Sequence, residues 1–180
     1  MENKVGYPRD YQRALNNVLS ERRLEELLKG STPVFLLGPL MLPRMLKSVT
    51  DAEPDFDIAA NMTQASLLDY KLWIFEGADL PIVMPSKELG QSVDGVLVFA
   101  LTSDQRNWLY QFEAESYKEL AHVQVEICLR DGNLRNIDAA TFVWKGEMDG
   151  IVAASSKSWK VDAFLESEWY KNAGRRYHSH

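Results

Sequence analysis

Residues 35–50 read FLLGPLMLPRMLKSVT, from Phe35 to Thr50. The short apolar run over residues 33–37 predicts a buried strand. Leu42, Met45, Leu46 and Val49 recur at helical spacing, so residues 41–49 predict a helix. Between the two stands Gly38-Pro39. Two readings of that step are open: a plain turn, or a loop shaped to hold a small molecule. The stretch also bears on fold class, because a strand running straight into a helix begins a doubly wound sheet only if the pair repeats.

It does not repeat. Upstream, Tyr11, Leu15, Val18, Leu19, Leu24, Leu27 and Leu28 fall near one face, predicting one helix over residues 9–29 that stops at Gly30. Downstream, DAEPDFD (51–57) reads as a surface loop and residues 65–75 as a strand. GADLPIVMPS (77–86), punctuated by Gly77, Pro81 and Pro85, reads as irregular or edge-like. VDGVLVFAL (93–101) is a strong strand. TSDQ after it is a capping box, Thr102 with Gln105, opening a helix through RNWLYQF. Residues 117–129 and 136–146 alternate as two strands joined through Asp131-Gly132-Asn133, a hairpin signal. SSKSWKVDAFLESEWYKN (155–172) closes the chain as a helix. This order predicts an α+β fold, a small mixed barrel or curved sheet flanked by helices. The expected divisions are an N-terminal helical extension (1–31), the main domain (32–174) and a short tail (175–180).

Composition narrows the function. At 180 residues and 46% apolar, the chain suits one domain with a substantial core. A formal charge of −6 argues against a nucleic-acid partner, and Arg22-Arg23 and Arg175-Arg176 are too short to change that. No window approaches the roughly 18 apolar residues of a membrane span, and the N-terminus has no signal-peptide core. No membrane partner and a cytoplasmic location are therefore expected. Cys128, the single cysteine, sits in the alternating VQVEICLR and reads as a buried structural thiol.

Familiar catalytic motifs are missing: the sequence has no G-x-G-x-x-G, P-loop or G-x-S-x-G pattern. His122, His178 and His180 form no metal pattern, so neither metal nor cofactor is expected. Carboxylates are plentiful, and the informative ones lie in YQFEAESY (110–117). Glu113 follows Phe112 at a helix end, just before a strand. Set among Trp108, Phe112 and Tyr117 it could occupy a partly dry pocket, where desolvation makes a carboxyl a better proton shuttle. From the residues alone Glu113 and Glu115 are equals, and both can be surface acids. Trp73, Trp108, Trp159 and Trp169 read as core.

Three stretches, in this order, carry a resemblance. FLLGPLMLPRMLKSV is a strand, a Gly-containing loop and a helix. DLPIVMP and SVDGVLVFAL are a Pro-containing segment and then Val-x-Gly entering a strand. WLYQFEAESYKELAHVQVEI is a helix ending in an acid, then Tyr and a Val-x-Val strand. TFVWKG and SWKVDAFLESEWY agree as well. Together they resemble the γ-glutamylcyclotransferase-like family, the small fold shared with plant avirulence-induced proteins, over residues 33–170 or so.

The resemblance implies that Glu113 is the catalytic acid/base and that Leu37, Gly38, Pro39 and Leu40 form the loop that binds the substrate's polar end. Tyr117 is implied as a further substrate-binding residue, and Trp144 as pocket lining or core. The family reaction cyclises a γ-glutamyl group: its α-amine attacks its own side-chain amide, giving 5-oxoproline and a released amine. Departures stand in the loop. Pro39 replaces the family's Thr/Ser, Leu37 its Tyr, and Tyr110 stands where Asp is common, so hydroxyls and one N–H donor are gone. The expectation is a small-molecule enzyme of this kind. A second reading keeps Glu113 but runs isomerisation, cyclisation or elimination on a less polar molecule in specialised metabolism. A third is a non-catalytic binding module using the N-terminal helix, through which a dimer also stays open.

Overall fold

Asp69 and Gly95 decide how the strands of this chain are arranged. The computed structural model describes residues 1–53, 55–77, 80–114 and 118–173. Its strands are β1 (Val34–Leu36), β2 (Met62–Leu68), β3 (Tyr70–Phe75), β4 (Pro81–Pro85), β5 (Ser92–Val98), β6 (Lys118–Cys128), β7 (Leu134–Trp144) and β8 (Ile151–Ala153). Five of them close a barrel in the order β1-β5-β2-β6-β7, while β4-β3-β8 form a separate three-stranded sheet. The fold is thus α+β, a small mixed barrel flanked by helices as the element order predicts, with a separate three-stranded sheet that it does not.

The expected single strand over residues 65–75 is two. Asp69 sits between β2 and β3 at φ +62°, in the left-handed region that Asp tolerates better than most residues. That kink sends the chain out of the barrel and into the small sheet. There β3 lies in the middle, with β4 at one edge and at the other β8, a strand the sequence reading did not foresee. Within the barrel, β1 pairs antiparallel with β5, Phe35 opposite Leu97, and parallel with β7 at Val34 opposite Ala140. Gly95 makes this closure fit: a Cβ there would stand 2.4 Å from the Phe35 ring and 2.5 Å from the Leu36 carbonyl.

The helices are α1 (Arg9–Asn16), α2 (Glu21–Leu28), α3 (Pro43–Val49), α4 (Ser103–Ala114), α5 (Val161–Leu165) and α6 (Glu168–Asn172). The expected helix over 9–29 is therefore broken. Ser20 caps α2 by accepting from the Arg23 amide, and Asn17 turns outward to donate to the carbonyls of Ala60 and Met62. Tyr11, Ala14, Leu15, Leu24 and Leu27 nonetheless join the same buried core as the barrel strands. The expected closing helix is also shorter. Ser167 caps α6, accepting from the Tyr170 amide, and breaks it from α5.

Residues ahead of α5 form a strap instead. Asp94 of β5, buried, accepts from the Ser158 hydroxyl at 2.6 Å and the Lys157 ammonium at 3.1 Å. Burial by itself would push this carboxyl up; the Ser158 hydroxyl and Lys157 outweigh it and hold it below the usual carboxylate range. Cys128 is corrected too. Along β6 and just past it, Val123, Val125, Ile127 and Leu129 face the core, so strand alternation puts Cys128 on the exposed face. Among the described residues, no helix is long and apolar enough to cross a membrane.

Candidate functional site

The capping box forms as read. The Thr102 hydroxyl accepts from the Gln105 amide at 3.2 Å, and the Gln105 side chain accepts from the Thr102 amide at 2.9 Å. α4 thus starts at a fixed point and runs to Ala114. Leu109 and Glu113, four residues apart, are its buried positions, so they share the face that packs inward. Glu113 is only 7% exposed. A carboxylate in a last turn also faces the negative end of the helix dipole. Its compensation is Lys118, the first residue of β6, whose ammonium lies 2.5 Å from Glu113 Oε2 with its own side chain 17% exposed.

The 37–40 loop meets this pair at one end of the barrel. β1 ends at Leu36, and Gly38–Met41 form a 3-10 turn that leads into α3. Gly38 has φ +67°, and a Cβ there would stand 2.5 Å from Cγ of Pro81. The close approach that demands glycine is therefore to the ring of Pro81, the first residue of β4. Leu37, Pro39 and Leu40 line a cavity of about 570 Å³ together with Glu113 and Lys118; Gly38 does not line it.

The remaining walls are mostly apolar. Phe75, Pro81 and Ile82 come from the small sheet, Phe112 from α4, Trp144 from the end of β7 and Trp169 from α6. Lys118 and Trp144 are opposite each other across the β6–β7 ladder, which brings the ammonium and the indole to the same rim. Phe75 meets the Trp144 ring edge-on at 5.1 Å between centroids. Trp144 is fixed further by its Nε1–H donating to the Glu147 carbonyl at 3.1 Å. Gly146 lets the indole fold back, since a Cβ there would lie 2.4 Å from it. On the other side, Trp169 packs against Phe112 and Phe164. Arg44 of α3 ties α6 in place by donating to the carbonyls of Ala173 and Lys171. Glu76 stands at the solvent rim, exposed.

Of the residues picked from the sequence, Glu113, Leu37, Pro39 and Leu40 come together, and Trp144 joins them as lining. Tyr117 and Glu115 lie outside the described residues, as do His178 and His180. Trp108 is 39% exposed and Tyr110 is 51% exposed on α4, so neither is core or pocket. Trp169, expected in the core, is a pocket wall. Lys118 was missed: a lysine opening a strand has no local signal that sets it apart from a surface cation. Phe75 and Ile82 were missed because the small sheet was. Among the described residues no three His, Cys, Asp or Glu side chains converge as metal ligands.

Comparison with known proteins agrees with this fold. The family model described as gamma-glutamyl cyclotransferase, AIG2-like matches residues 34–161. AIG2-like protein D of Arabidopsis thaliana is 26% identical over 138 residues, covering 74% of this chain and 84% of the relative. A solution structure of an Arabidopsis thaliana protein aligns with TM-score 0.54 at 22% identity, covering 78% of this chain and 89% of the other. A second from the same organism aligns at TM-score 0.52 and 18% identity, covering 81% and 84%. These two likenesses concern the fold.

Proposed function

The chain belongs to the gamma-glutamyl cyclotransferase, AIG2-like family, and on that premise we propose that it cyclises a γ-glutamyl amine to 5-oxoproline with release of the amine. The observation that carries this reading is the cavity shared by a buried acid, Glu113, and the loop of Leu37, Pro39 and Leu40. Glu113 takes a proton from the substrate's α-ammonium as that nitrogen attacks the γ-carbonyl carbon. The ring N–C bond forms and the amide C–N bond breaks. The ring nitrogen gives up two protons in all and the leaving nitrogen receives two, so the amine departs as its ammonium ion. One positioned acid/base contributes about 10²–10⁴-fold, and the cavity's shape supplies the folded substrate conformation. Phe75, Trp144 and Trp169 favour an apolar leaving amine.

Glu113→Gln is expected to lower 5-oxoproline release from a panel of γ-glutamyl amines by about 10²–10⁴-fold while circular dichroism stays that of the parent. Release unaffected by the substitution would sink the reading. The apolar walls and the hydroxyl-free Pro39 favour a second reading, proton-transfer chemistry by Glu113 on a less polar molecule. Under it, rebuilding the loop with Leu37→Tyr and Pro39→Thr lowers activity on that molecule.

A further inference from the structure

The Glu113–Lys118 pair is a charged element in an otherwise mostly apolar cavity, and its geometry suggests more than mutual neutralisation. Taking the cyclisation reading as given, the substrate's head is an α-ammonium and an α-carboxylate on one carbon, a zwitterion of zero net charge. The pair in the cavity is also neutral overall, with a carboxylate oxygen and an ammonium nitrogen 2.5 Å apart. Among the described residues lining the cavity, Lys118 is the one cation, and Glu76 at the rim is exposed to water. Pro39 brings neither an N–H nor a hydroxyl to the loop.

We infer that Lys118 is the receptor for the substrate's α-carboxylate, and that binding is an exchange of partners: the ion pair opens, the ammonium of the substrate takes Glu113 and its carboxylate takes Lys118. The exchange replaces one close charge pair with two in a poorly solvated site, so neither protein charge is left buried alone. It also brings the α-nitrogen onto the group that deprotonates it. A substrate without the carboxylate forfeits one half of the exchange and strands Lys118.

The test uses binding probes that cannot react. S-benzyl-L-homocysteine carries the zwitterionic head and an apolar tail without an amide; 3-(benzylthio)propylamine is the same molecule without the carboxylate. The wild-type protein is expected to bind the first about 10- to 100-fold tighter by calorimetry, the range of one charge-assisted contact. Lys118→Met leaves Glu113 facing the ammonium alone, so the preference should vanish or invert, and Lys118→Arg should restore it. The readout is a ratio of two ligands on one protein, so a general loss of stability cancels, and Lys118→Gln serves if the methionine variant does not fold. Equal binding of the two probes by the wild-type protein, failure of both to bind, or a preference that survives loss of the ammonium overturns the inference. A clear preference together with no 5-oxoproline release from any γ-glutamyl amine would instead retire the cyclisation reading and leave Lys118 as a carboxylate receptor.

Discussion

Gly38 answers the question raised by its own neighbourhood. Gly38 turns the chain, and the turn brings Leu37 and Pro39 to the cavity wall. What excludes a side chain is the Pro81 ring 2.5 Å from a Cβ position, on a backbone at φ +67°. A proline ring is stiff, and an L-residue in the left-handed region costs about 1–2 kcal/mol. Gly38→Ala is therefore expected to lose about 2–3 kcal/mol in urea unfolding and to weaken ligand binding, since Pro81 is itself a cavity wall. At this scale the residues alone left Glu113 and Glu115 equal, and the family resemblance singled out Glu113, which the structure buries. The sequence was silent about Lys118, because what makes that lysine special is α4 arriving above it, a contact between elements.

Elements were legible where two independent signals coincide. The β6–β7 hairpin has alternation and Asp-Gly; α4 has its capping box. They were misread where one signal spoke alone. An apolar run hid the turn at Asp69, and helical spacing hid the cap at Ser20, though both turn residues were there to see. β8 is three residues long, too short for any period. Gly95 offers the sharpest test at this scale. Its neighbours, the Phe35 ring and the Leu36 carbonyl, belong to β1, the strand beside β5, and the carbonyl cannot step aside. Gly95→Ala should cost about 3 kcal/mol by chemical denaturation. Gly30→Ala is the control: its nearest atom lies at an ordinary 3.5 Å, so stability should stay within about 0.5 kcal/mol.

For the molecule as a whole, Asp94 fastens the strap at residues 157–158 to the barrel. Its carboxyl is held below its ordinary value, so it stabilises the fold fully above the unfolded-state pKa of about 4, and that contribution fades as pH falls through the lower folded value. Melting temperatures of the wild type and Asp94→Asn should differ at pH 6 and converge as the pH drops below about 4. A constant gap would mean that the charge does not matter. The barrel's closure carries one more consequence. β1 is three residues long and is completed on one side by Ala140 of β7. On a chain emerging from the ribosome, the strand that leads into the cavity loop is made early and pairs with β5, but its other side stays open until β7 arrives a hundred residues later, and contacts so distant in sequence form slowly. Ligand-binding competence should thus come late to a nascent chain, after β7 has closed the barrel and α6 has brought Trp169 to the cavity wall.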